Sequence, residues 1–283
     1  MKYIKYLLVV LFTITLLTGC KKDKMDNIKI ITTTYPITHI IESIYKDNST
    51  ITSIYPNGIN ISEYEITDKQ INEYAKADLF IYNGLDNNEK KIATRLLNKN
   101  KRIKLIDATQ GLTIKSTIDE LWLSPSNYLM IAQNIKEHLT DFITSTVLKE
   151  TVNKKYENIK LTISKFDANF KITAENAKYK DIIVNNKSLE FLTKYGFNII
   201  CLDKNEKEYK VNYQKAKSNI ATKTNNYVFA IDGQIDDDNK AVGGEIVNVK
   251  SMTILSLDDV KNKNSYESMM NEFIESLRTE AYA

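Results

Sequence analysis

The stretch from Leu148 to Phe170, LKETVNKKYENIKLTISKFDANF, carries one apolar stripe and no glycine or proline. Leu148, Val152, Tyr156, Ile159, Ile163, Phe166 and Phe170 recur at steps of three and four, the period of a single helix face. A coiled coil would show the same stripe. About three heptads flanked on both sides by strand signals instead predict one connecting helix lying across two lobes.

Upstream of it, strand and helix signals alternate. Ile28 to Tyr35 is β-branched and ends at Pro36, after which Ile37, Ile40, Ile41 and Ile44 mark a helix face. Thr50 to Tyr55 is strand-like and closes on Pro56-Asn57-Gly58, a turn signal. Thr67 is placed to cap a helix from Asp68 to Lys76, because its hydroxyl can accept from exposed first-turn amides. Leu79 to Gly84 and Ile103 to Ala108 complete four strand signals. Downstream, Asp181–Asn185, Phe197–Leu202, Tyr227–Ile231 and Met252–Leu257 repeat the pattern. Strand–helix–strand units of this size predict an α/β fold: two lobes, each a mostly parallel sheet with flanking helices, joined by one long connecting helix.

The N-terminus has its own logic. Lys2 and Lys5 precede an apolar run from Tyr6 to Leu17 that is too short for a membrane span, as in a signal peptide. Leu17-Thr18-Gly19-Cys20 resembles the lipobox of bacterial lipoproteins, in which the cysteine is acylated and becomes the mature N-terminus. The expected organisation is a leader at 1–19, a tether at 20–27, a first lobe at 28–147, the linker helix at 148–178 and a second lobe at 179–283. Lipid on Cys20 would anchor the chain outside the cytoplasmic membrane.

Composition removes several functions. Of 283 residues, 42% are hydrophobic and 27% charged, and the net charge is +3. That balance lacks the basic excess of a nucleic-acid binder. Two histidines and two cysteines cannot build a Cys/His zinc cluster or a disulfide framework. Cys201 sits in a strand-like run and is read as core. Asp236-Asp237-Asp238-Asn239 lacks the alternating ligands and central glycine of an EF-hand and reads as a solvated loop. Gly243-Gly244-Glu245 lacks the ending of a phosphate loop. No Ser/His/Asp set is visible, so an extracellular hydrolase is disfavoured and the chain is not read as an enzyme.

Pro56-Asn57-Gly58-Ile59-Asn60-Ile61-Ser62-Glu63-Tyr64-Glu65-Ile66-Thr67 resembles a loop of the metal-binding substrate-binding lipoproteins of zinc and manganese ABC transporters. Ala77 to Gly84 is similar to that family's next strand, and Leu121-Trp122-Leu123-Ser124-Pro125 with Ala132 to Ile135 to its Trp-Leu motif and following helix. Tyr195-Gly196 and Ser265 to Met270 match motifs of the second lobe. The resemblance implies a monomeric receptor with a buried metal site between the lobes and modest hinge motion. Its partners would be an ABC permease and an ATPase.

The ligand positions depart from the family pattern of histidines with one or two carboxylates. Ser62 stands at the first position and Glu120 at the second; Asn185 or Asn186 stands at the third, and Asp258 at the fourth. His39, beside Ile40 and Ile41, and His138, in the polar run Lys136-Glu137-His138, are read as structural or solvated. A set made of Ser62, Glu120, an asparagine and Asp258 offers only oxygen donors. It would suit manganese, magnesium or calcium better than zinc, which favours imidazole and thiolate. The four side chains are expected to converge between the lobes, from loops of the first and strand ends of the second, where open α/β sheets place ligands. The Glu–Asp pair could instead bind protons or pair with a lysine such as Lys187. The alternative function is then a receptor-fold lipoprotein that has lost transition-metal binding and serves as an interaction or adhesion module, or binds another small ligand.

Overall fold

The computed structural model describes residues 23–56, 59, 61–113, 120–253 and 265–283. The leader, Cys20 and Asp258 lie outside the described residues. Strand β1 (Ile28–Thr32) leads into helix α1 (Tyr35–Tyr45), then β2 (Ser49–Ser53), α2 (Asp68–Tyr74), β3 (Leu79–Tyr82), α3 (Asn87–Lys99) and β4 (Lys104–Asp107). All pairings in this first sheet are parallel, in the order β2-β1-β3-β4. Helix α4 (Pro125–Phe142) and the long α5 (Thr146–Glu175) follow. The second lobe repeats the scheme with β5 (Asp181–Val184), β6 (Asn198–Cys201), α6 (Tyr209–Ala221), β7 (Tyr227–Ile231), α7 (Asp237–Ala241) and β8 (Glu245–Val249). Its order is β6-β5-β7-β8, again parallel. Helix α8 (Tyr266–Tyr282) ends the chain.

Local chemistry sets the helix starts. Pro36 falls in the first turn of α1, where a missing N–H costs nothing. The Thr67 hydroxyl accepts from Gln70 N while the Gln70 side chain accepts from Thr67 N, a reciprocal capping box that starts α2. Asp86 caps α3 and Ser145 caps α5.

Because successive strand residues face opposite sides, each sheet buries both faces. Ile30, Leu79 and Ile81 point to one side of the first sheet, into the same core as α1 and α4; Ile31 and Phe80 point to the other, with Ile71 and Ile92. In the second sheet Ile182, Val184, Phe229 and Ile231 join the first core, whereas Ile183, Ile200 and Val228 meet Ala216 of α6. One apolar core therefore runs through both lobes. All seven stripe residues of α5 border it: Val152, Tyr156, Ile163, Phe166 and Phe170 fully buried, Leu148 and Ile159 partly. Helix α8, although last in sequence, also spans the lobes. Tyr266 stacks on Tyr128 of α4 with ring centroids 3.9 Å apart, and its hydroxyl donates to Trp122 O at 3.2 Å. Its backbone N–H donates to the Tyr35 hydroxyl at 3.2 Å.

The fourth strand of the second sheet departs from expectation. It is Glu245–Val249, while Met252 and Thr253 lie outside any strand and 254–257 are outside the described residues. The glycine pair before it supplies the reason. Gly243 has φ +91°, open only to glycine without strain, and a Cβ on Gly244 would meet Ile220 Cδ1 at 2.7 Å and Asn226 O at 3.1 Å. Residues 243 and 244 thus form the tight entry into β8 beneath α6. The acidic run 236–239 is likewise ordered: Asp236 caps α7 through a box with Asn239.

Candidate functional site

Glu120 stands directly before the short 3-10 turn Leu121–Leu123, with φ 50°, a left-handed conformation that costs a non-glycine residue about 1–2 kcal/mol. It is 1% exposed. A buried carboxylate needs partners, and Glu120 has four. Its Oε2 accepts from Trp122 Nε1 at 3.1 Å and Met252 N at 2.8 Å; its Oε1 accepts from Ser251 Oγ at 2.5 Å and Thr253 N at 3.1 Å. Three of the four donors follow strand β8 of the second lobe. The carboxylate therefore ties the Trp-Leu turn of the first lobe to the chain after β8. Ser251 and these two amides were not legible as site groups, because the run from Met252 reads as strand.

Asn185 and Asn186 stand together at the C-terminal end of β5. Asn185 donates to Gln234 O at 3.0 Å and accepts from Ile231 N at 2.9 Å, fastening the loop after β7. Asn186 accepts from Ser188 N and donates to Gln234 Oε1 at 2.6 Å. Both line a polar cavity of about 490 Å³ with Asp203, Lys204, Glu206 and Asp236. Glu120 is not part of its wall. Lys187 pairs with Glu206 at 2.6 Å, not with Glu120. Ser62 lies in the 3-10 turn Ile61–Glu63. Among the described residues no group of three or more His, Cys, Asp and Glu side chains is arranged to hold a metal ion.

The histidines sit elsewhere. His39 Nδ1 and the Tyr128 hydroxyl share a hydrogen bond at 2.6 Å, and Nε2 lies 3.6 Å from Glu267 Oε2. Burial pushes the Glu267 carboxyl up, but the His39 side chain, backbone and Ser265 contacts outweigh it and hold the group down at about 2. This cluster fastens α8 to α1. His138 is half-buried and bonds Gln110 Oε1 at 2.8 Å. Cys201 is buried, and burial pushes its thiol up to about 11, so it is no nucleophile at neutral pH.

Residues 30–280 match the family described as zinc-uptake complex component A periplasmic, ZnuA. The chain belongs to the ZnuA family. Two relatives are the high-affinity zinc uptake system protein ZnuA of Bacillus subtilis (strain 168) and a metal ABC transporter substrate-binding lipoprotein of Lactococcus lactis subsp. lactis (strain IL1403). The first is 27% identical over 203 residues, 63% of this chain and 61% of the relative. The second is 26% identical over 212 residues, 68% of this chain and 67% of the relative. The match thus spans about three-fifths of the length of the first relative. Among solved structures, the metal-dependent lipoprotein YcdH of Bacillus subtilis aligns with TM-score 0.73 at 18% identity, covering 91% of this chain and all of that one. The Zn(II)-bound ZnuA-like domain of Streptococcus pneumoniae AdcA gives 0.72 at 19% identity, with coverage of 91% and 100%. These likenesses establish the fold of the ZnuA family. The ZnuA family is one of uptake-system components, not of enzymes.

Proposed function

We propose that this chain is the extracytoplasmic receptor of a metal-type ABC importer, a monomer held at the membrane by lipid on Cys20. It takes a divalent cation between its lobes and delivers it to a permease worked by an ATPase. The observation that carries the reading is the family match over residues 30–280, joined to a fold of two parallel four-stranded sheets braced by one helix. Relatives named as ABC transporter lipoproteins support the anchoring and the partners. No described helix is long and apolar enough to cross a membrane.

Ser62, Glu120, Asn185 or Asn186, and Asp258 are the residues assigned to the cation. Glu120 and Asp258 bring the only formal charges and so most of the affinity. With oxygen donors alone, the ion is manganese, magnesium or calcium in preference to zinc. Some relatives are named for zinc and others for iron, so the metal differs within the group. In calorimetric titration with manganese, Glu120→Gln or Asp258→Asn is expected to abolish binding, while Ser62→Ala weakens it modestly. Nanomolar zinc binding that survives both carboxylate substitutions would place the site elsewhere. Failure of the unsubstituted protein to bind any of the four cations would favour the interaction-module reading. Separately, Cys20→Ser is expected to leave the chain unprocessed or free of the membrane when cell fractions are blotted; normal processing with full membrane retention would contradict the lipid anchor.

A further inference from the structure

We infer that Ser251 sets the cation affinity of this chain by competing for the Glu120 carboxylate, so that the unloaded protein is latched across its lobes. The inference rests on the reading of Glu120 as a cation ligand. A carboxylate offers about four acceptor positions, and four donors already occupy those of Glu120. No lone pair is left for a cation in this arrangement. Loading and latching therefore exclude one another, and a cation must displace donors before Glu120 can hold it.

Of those donors, Trp122 belongs to the same turn as Glu120, and its indole N–H cannot be removed without opening the core. Met252 and Thr253 give backbone amides. Ser251 alone contributes a small side chain, 131 residues away in sequence, whose only polar group is spent on Oε1. At 7% exposure its hydroxyl has little water to exchange with, so the hydrogen bond to a charged acceptor is a strong one. Losing it leaves Oε1 with one donor and frees an acceptor position for the cation. Ser251 thus acts through Glu120, as a positioning residue that tunes affinity downward.

The test uses the full chain, purified in detergent, as the original protein, Ser251→Ala and Ser251→Thr. Each is titrated with manganese by calorimetry, and amide hydrogen exchange is followed at Met252 and Thr253. Ser251→Ala should bind manganese about three- to tenfold more tightly, with faster exchange at both amides in the unloaded state. Ser251→Thr, which keeps the hydroxyl, should restore the original affinity. Manganese added to the original protein should also speed exchange at those two amides, because the carboxylate leaves them. A purely structural role would weaken binding in Ser251→Ala. Unchanged or weaker affinity in that variant, with manganese bound by the original protein, overturns the competition alone. No manganese binding by either protein overturns the receptor reading and the competition with it.

Discussion

Phe170→Ala is expected to destabilise the protein by about 3–5 kcal/mol, the usual range for truncating a fully buried aromatic ring. Phe170 is wholly inaccessible and sits where the long helix meets the second lobe. Its ring stacks on Tyr195 with centroids 5.2 Å apart and makes edge contacts with Phe191 at 5.5 Å and Phe273 at 5.7 Å. Those partners come from the turn after β5 and from α8, so the cavity left by alanine would loosen three elements together. Urea unfolding followed by far-ultraviolet circular dichroism measures the loss. Because one core joins both lobes, the variant should still unfold in one transition, at lower denaturant. A loss under about 1 kcal/mol would mean that α5 does not brace the lobes as described.

The second large effect is a pH dependence from Glu89. This side chain is buried in the first lobe, where Oε2 accepts from Asn83 N at 2.6 Å and Oε1 from the Tyr55 hydroxyl at 3.5 Å. Burial, assisted by the nearby Asp86 charge, pushes its carboxyl from 4.5 up to about 8, against the opposing pull of the Asn83 amide. Between those values the folded chain keeps a proton that the unfolded chain has lost. Stability must therefore fall as pH rises from 4.5 to 8, by as much as about 4 kcal/mol in total. Below 4.5 the group contributes no slope. Glu89→Gln removes the titration, and its stability relative to the original should climb steadily over that interval. Unfolding curves at half-unit pH steps would reveal this, and parallel profiles for the two proteins would contradict it.

The sequence carried most of the architecture because burial on two faces leaves a simple trace. Runs such as Leu79-Phe80-Ile81 have no polar alternation, and the stripe from Leu148 to Phe170 has the period of one helix face; both follow directly from what the core requires. Thr67 and Gln70 announce their capping box at fixed spacing. Strand β8 escaped because an edge strand buries little: Glu245 is exposed, and Ile246 and Val247 only half covered. The run beyond it, with Met252, Ile254 and Leu255 close together, gave the stronger apolar signal and drew the strand reading there. The function of α8 was legible only as a motif, since nothing in Tyr266 says that its ring will lie on Tyr128.

The site was less legible for a different reason. The resemblance singled out Glu120 as a candidate, but not what would face it, because hydrogen-bond partners 131 to 133 residues away leave no local pattern. The left-handed backbone of Glu120 is equally silent in sequence, as glutamate has no preference for that conformation. Asn185 and Asn186 were named by family position, yet in the structure both fasten the Gln234 loop.

As proposed, this chain captures a hard divalent cation on an oxygen-donor site. Native mass spectrometry of the purified protein, after equilibration with equal free concentrations of manganese, magnesium, calcium and zinc, tests it most directly. One dication per chain is expected, with manganese, magnesium or calcium occupying the site ahead of zinc. A chain that carries zinc in preference, or no cation at all, would contradict it.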